Sequence, residues 1–291
     1  MHTDRFAHFI ASCLLLSMLL AGCAGISTTL TPPTRSPMAT ATSTPSTNVR
    51  PELEQYFQGY TGAFVLYDRN ANRYLRYNPE RCATQFLPAS TFKILNSLIG
   101  LETGVITDEN FVIKWDGTQY DIPAWNQDHT LKTAIQNSVV WYYQELARRV
   151  GAEKMRQYVE AAGYGNRDIS GQIDTFWLDG ALRISADEQV EFLKRLYQND
   201  LPFSQRSQEI VKTILVLEKT DSYQLSGKTG STQRIKIHTG WFVGYLETNG
   251  NVYYFATNLE SSDPNGLANG QLAQNINRNI LQSLELLPAQ P

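Results

Sequence analysis

Hydrophobic and polar positions along the chain change period in a definite order. Apolar runs at 62–67 and 73–77 flank the turn-rich interval Asp68-Arg69-Asn70-Ala71-Asn72 and predict an antiparallel hairpin. Next, Ile94, Leu95, Leu98, Ile99 and Leu101 recur at helical spacing, with Pro88 just upstream. This spacing predicts a buried helix to about Glu102, ended by Gly104, whose first turn carries Ser90 and Lys93. Residues 105–165 read as mainly helical, with helices over 130–136 and 141–150 on either side of Ser138 and another over 152–162 ending at Gly163. Ser185-Ala186-Asp187-Glu188 is a capping box that opens a helix to about Tyr197, and a further helix is expected over 205–217. A strand over 223–227 leads into Lys228-Thr229-Gly230, expected to end an edge strand. Strands over 239–248 and 252–259 are joined by Asn249-Gly250, the favoured type I′ hairpin dipeptide. A helix over 270–286 closes the pattern. Strands, then helices, then strands and a helix make an α+β fold: an antiparallel sheet from both chain ends, flanked by helices, with an inserted all-helical lobe. No internal repeat is visible.

Residues three apart on a helix share a face, so the Ser90 hydroxyl and the Lys93 amine can meet. A desolvated lysine, its pKa lowered by burial, can serve as the base that makes serine a nucleophile. The helix N-terminus adds free N–H groups and a partial positive charge for an oxyanion. As a bare pattern, S-x-x-K is common. Ser138 offers a hydroxyl that relays a proton or binds substrate, and Trp177 an indole N–H that donates but cannot accept. In Lys228-Thr229-Gly230 the lysine supplies positive charge, the threonine a hydroxyl for a carboxylate, and the glycine room for a ligand to approach the backbone.

With 291 residues and 42% hydrophobic content, the chain can bury one large core or two intimately packed subdomains. A net charge of −3 gives no case for nucleic acid as a partner. Of the three cysteines, Cys13 and Cys23 fall in the first 23 residues and only Cys82 in the body, so no disulfide is available to the body. Only His129 and His238 lie there too, which leaves no histidine-built metal site; no metal is expected. No G-x-S-x-G elbow appears, which disfavours a Ser-His-Asp hydrolase.

Residues 1–23 join Arg5 to an apolar stretch from Phe9 to Leu20 and read as a secretory signal, too short to span a bilayer. Leu20-Ala21-Gly22-Cys23 resembles the bacterial lipobox, which implies lipidation of Cys23 and an exported protein anchored to the membrane, facing the periplasm or cell exterior. Residues 24–50, rich in Thr, Ser, Pro and Ala, read as a disordered tether reaching up to about 80 Å at about 3.1 Å per residue. The folded body is expected over 51–291.

Taken together, Phe86-Leu87-Pro88-Ala89-Ser90-Thr91-Phe92-Lys93, Ser138-Val139-Val140, Tyr164-Gly165-Asn166, Phe176-Trp177-Leu178, Lys228-Thr229-Gly230 and Gly240-Trp241-Phe242-Val243-Gly244-Tyr245 resemble the class D serine β-lactamases, in order, over roughly 51–288. The resemblance implies hydrolysis of penicillin-type β-lactams through a Ser90 acyl-enzyme. It implies no cofactor beyond a CO2-derived carbamate on Lys93, held by the Trp177 indole, as the general base for acylation and deacylation. It also implies an oxyanion hole from the N–H groups of Ser90 and Ser231, with Tyr164-Gly165-Asn166 shaping the cleft wall. Trp125 and Asp128 resemble a segment bordering the active site and receive no catalytic role. Val140 stands where the related transpeptidases carry asparagine, and an apolar residue there keeps the amine drier. Many relatives carry an arginine near the start of the last helix for the substrate carboxylate. An ungapped reading puts Ala273 there, leaving Thr229, Ser231 and Thr232 as candidates, with Arg278 more than a turn away. The alternatives are a penicillin-binding or sensing protein that stays acylated, and a D,D-peptidase on peptidoglycan. A homodimer is compatible with the sequence.

Overall fold

A computed structural model describes residues 45–232, 237–261 and 268–288; Cys23, the leader and most of the tether lie outside them. In chain order the strands and helices are β1 (Ser46–Val49), β2 (Thr61–Asp68), β3 (Arg73–Tyr77), α1 (Pro79–Ala83), α2 (Lys93–Glu102), β4 (Val112–Ile113), β5 (His129–Thr130), α3 (Leu131–Gln136), α4 (Val140–Val150), α5 (Ala152–Ala162), α6 (Ala186–Tyr197), α7 (Gln205–Ile214), β6 (Val216–Lys219), β7 (Tyr223–Thr232), β8 (His238–Thr248), β9 (Asn251–Ser261) and α8 (Gly270–Ser283). Among the described residues they form a seven-stranded sheet, ordered β1-β3-β2-β9-β8-β7-β6, antiparallel except for β1 beside β3. The α+β expectation holds.

The central strands are buried on both faces, and the period-two alternation of side chains separates two cores. Trp241, Val243 and Tyr245 of β8 face the helical lobe, whereas Phe242 and Leu246 face α8. Asn249 and Gly250 take φ values of 51° and 69°, as a type I′ turn requires, and lock the β8–β9 register from Thr248↔Asn251 outward. The Ser185 capping box on α6 is present as predicted.

Four expectations change. The tether is expected to run to residue 50, but Ser46–Val49 is a strand hydrogen-bonded to β3. The helix expected over 205–217 stops at Ile214, and the next residues pair with β7 as β6. Lys228-Thr229-Gly230 is therefore not on the outermost strand. Yet β6 pairs only as far as Ser226, so among the described residues no strand covers the other edge of the stretch from Lys228 to Thr232. Finally, residues 105–130 are loop with the short β4–β5 ladder and a single 3-10 turn at Pro123–Trp125 rather than mainly helix.

Candidate active site

Pro88 leads into a 3-10 turn over Ala89–Phe92 that runs directly into α2. Ala89 at its start has φ 48°, a left-handed conformation unfavourable for a residue with a Cβ. Surrounding bonds hold it: the Ala89 N–H donates to the Trp177 carbonyl (3.0 Å), and the Thr91 N–H and hydroxyl both donate to the Pro88 carbonyl (3.2 and 2.7 Å). Thr91 in turn accepts from the fully buried Gln189 of α6 (2.8 Å). On the far side the turn lies against β7. A Cβ on Gly230 would sit 3.0 Å from the Pro88 carbonyl oxygen and 3.3 Å from the Thr91 nitrogen. A side chain there would press on the nucleophile turn by a few tenths of an ångström, so glycine serves the docking of that turn as well as the approach of a ligand.

The turn brings Lys93 Nζ to 2.6 Å from Ser90 Oγ. Lys93 is fully buried, above the Tyr143 ring, and burial pushes its amine well below the usual lysine value, helped by the charge of Lys228. Ser138 joins α3 to α4 at φ 53°, and its hydroxyl accepts from Lys228 Nζ at 3.0 Å. Lys228 also donates to its neighbour's carbonyl, that of Thr229 (3.0 Å), and burial lowers its pKa from 10.5 to about 7. Two lysines and two serine hydroxyls thus form a dry cluster that favours neutral amines.

The lowered Lys228 pKa sets a pH dependence of stability. Between about pH 7 and 10.5 the unfolded chain holds a proton that folded Lys228 does not, so this group makes stability rise with pH across that window. Its slope reaches about 1.4 kcal/mol per pH unit. Denaturant unfolding at pH 7.5 and 9.5 is expected to show a smaller gain for Lys228→Met than for the wild type; equal gains would refute the assignment.

Trp177 is fully buried and stacks on Phe92 (centroids 5.3 Å apart), and among the described residues its indole N–H has no hydrogen-bond partner. An orphaned buried donor is costly, and an anion accepting from it would remove that cost. A carbamate on the dry amine of Lys93 fits these residues.

Ser90, Ser138, Val140, Thr229 and Ser231 all line one cleft of about 540 Å³. Lys228 and Gly230 flank Thr229 on β7 without lining the cleft themselves, and Lys93 and Trp177 are fully buried. Also lining the cleft are Tyr120, Asp121, Ile122, Trp125, Asn137, Gln144, Leu178 and Thr232. Sequence reasoning misses most of these because loop 114–126 is ordered by side chain–backbone bonds that leave no periodic trace. Asp128, beside it, binds Lys114 (2.7 Å) and the Trp115 N–H (2.9 Å). Tyr164-Gly165-Asn166 is not cleft wall: Tyr164 is buried against Phe92, and Gly165 is pressed on the Arg183 carbonyl.

The last helix also corrects a prediction. Ala273 is buried in the core beneath the sheet, one turn too far along to face the cleft. Gly270 is the residue that abuts the site: a Cβ on it would sit 2.7 Å from Thr229 Cβ, and its N–H donates to Ser231 Oγ (2.8 Å). Ser231 therefore keeps its own proton for a ligand. The Thr232 hydroxyl is committed to Ile237 O and Thr239 N, and Arg278 is paired with Glu218 (3.2 Å), so neither is free for a carboxylate.

The chain matches the penicillin binding protein transpeptidase domain over residues 43–282. It is 46% identical over 227 residues to beta-lactamase OXA-48 of Klebsiella pneumoniae, covering 78% of this chain and 84% of that protein. It is 40% identical over 249 residues to the regulatory protein BlaR1 of Bacillus licheniformis, covering 84% of this chain and 41% of that protein. The crystal structure of the class D beta-lactamase YbXI from Nostoc superposes with a TM-score of 0.76 at 45% identity, over 81% of this chain and 99% of that one.

Proposed function

Because this chain belongs to the penicillin-binding transpeptidase family and, within it, to the class D serine β-lactamases, we propose that it hydrolyses penicillin-type β-lactams through an acyl-enzyme on Ser90. The observation that carries the reading is the 2.6 Å contact between Ser90 Oγ and the buried amine of Lys93 at the floor of a substrate-sized cleft.

The Ser90 oxygen attacks the lactam carbonyl as its proton passes to the base at Lys93. The Ser90 N–H, one of the first donors of its turn, and the Ser231 N–H stabilise the oxyanion. As the C–N bond breaks, the ring nitrogen takes a proton from the Lys228–Ser138 pair, which regains one from the protonated base and so frees that base for the second step. Water then attacks the ester under the same base, releases the opened product and returns the proton to Ser90. A carboxyl group carried on the Lys93 nitrogen would supply anionic oxygens as the proton acceptor in place of the amine, and an acceptor for the Trp177 indole. Thr229 and Ser231, with hydroxyls at the cleft and α8 behind the latter, are the substrate carboxylate's partners.

Identity to a penicillin sensor keeps a second reading open, a stable acyl-protein. Time-resolved intact mass spectrometry with benzylpenicillin in bicarbonate buffer separates the two. The expected result is a transient adduct on Ser90 with product well beyond one equivalent. An adduct persisting for hours with one equivalent consumed establishes the sensor chemistry, and no adduct overturns both.

A further inference from the structure

Among the described residues lining the cleft, one carries a charge at the surface: Asp121. It sits on a turn that is clamped at both ends. The Asn126 side chain accepts from the Tyr120 N–H (2.8 Å) and donates to the Tyr120 carbonyl (3.0 Å), while the Trp125 N–H donates to the Ile122 carbonyl (2.9 Å). The Trp125 indole then donates to the carbonyl of Asn137 (3.0 Å), the residue next to Ser138. The turn is therefore fastened to the catalytic element and holds Asp121 at a fixed place on the cleft's lobe side.

Two cations of this lobe, one of them in the same loop, are engaged with other carboxylates. Lys114 pairs with Asp128, and Arg148 pairs with Glu145 and Asp174. Asp121 itself is exposed. Around it, Tyr120 and Trp125 meet edge to face with centroids 5.7 Å apart, Ile122 is 46% exposed, and Leu178 and Val140 continue the apolar lining. The opposite wall holds the hydroxyls of Thr229 and Ser231, which suit the carboxylate on the ring. A substrate bound that way turns its acyl side chain toward the aromatic wall and Asp121.

We propose that Asp121 determines acyl-side-chain preference, favouring β-lactams whose aromatic side chain carries an ammonium group over those whose side chain carries a second carboxylate. This rests on the β-lactam reading above. Attraction in the first case and repulsion in the second act at a solvent-wetted cleft mouth, so each is worth about a two- to fivefold change in kcat/KM, and salt weakens both.

The test compares three penicillins with related aromatic side chains: ampicillin (ammonium), benzylpenicillin (neutral) and carbenicillin (carboxylate). kcat/KM for the charged pair is divided by that for benzylpenicillin in the same protein. In Asp121→Asn the ampicillin ratio is expected to fall about threefold and the carbenicillin ratio to rise about threefold, with both shifts shrinking in 0.5 M salt, ~4 Å Debye length. Asp121→Lys is expected to move both ratios further in the same direction. Ratios that stay the same in both variants overturn the proposal. So does a uniform loss on all three substrates, the signature of a merely structural aspartate. Failure of the wild type to turn over benzylpenicillin would instead defeat the β-lactamase reading itself.

Discussion

Lys93→Ala is expected to lower both kcat and kcat/KM for benzylpenicillin by about 10³-fold or more. The magnitude follows from the geometry. Among the described residues, Lys93 Nζ is the one nitrogen in hydrogen-bond contact with Ser90 Oγ, and the other amine of the cluster, Lys228, is engaged with Ser138 and the Thr229 carbonyl. Alanine removes the base from acylation and from deacylation alike, so no later step can hide the loss. Burial is what makes the lysine competent, since desolvation and the Lys228 charge hold its pKa well below 10.5. The sign of the pH dependence follows: falling pH protonates the amine and activity drops on the acid side, then recovers as pH rises. Stopped-flow acylation and steady-state rates across pH measure both effects. A variant retaining activity within tenfold of the wild type would show that the base lies elsewhere.

Much of this site is legible in the sequence, and what is not has identifiable physical reasons. Ser90 and Lys93 can be paired because helical spacing is local, and Asn249-Gly250 announces its hairpin because only such dipeptides accept two consecutive left-handed residues. By contrast, Val216–Lys219 becomes a strand by pairing with β7, a long-range event that overrides an apparently continuing helix. The turn carrying Asp121 owes its shape to one asparagine side chain bonded to the Tyr120 backbone, which has no period to detect. The error at Ala273 is of a third kind. The helix itself is foreseeable, but which residue of its first turn meets Thr229 depends on how α8 lies on the sheet. Gly270 fills that place because any Cβ would strike Thr229. Gly230 shows a milder form of the effect, its lack of a side chain easing the fit of the nucleophile turn.

Trp177→Phe is expected to slow deacylation by about 10²-fold while slowing acylation less, so that acyl-enzyme accumulates during turnover. Phenylalanine keeps an aromatic ring against Phe92 and deletes a fully buried indole N–H that has no acceptor among the described residues. A donor left unpaired at 0% exposure costs about 1–3 kcal/mol unless something in the working enzyme accepts from it. If that acceptor is a carbamate on Lys93, the variant loses its stabilisation, and a larger share of the protein carries the bare amine. Added bicarbonate is then expected to restore part of the rate by mass action, an effect a purely structural tryptophan would not produce. A 13C-labelled carbamate resonance, present in the wild type and diminished in the variant, reads the same equilibrium without any turnover. Deacylation is the more sensitive step because water, unlike a serine already in contact with the Lys93 amine, has to be both positioned and deprotonated by the base, so it depends more on the carboxylated form. An unchanged deacylation rate at both low and high bicarbonate, with the resonance intact, would assign the indole to packing alone and leave the Lys93 amine as the base.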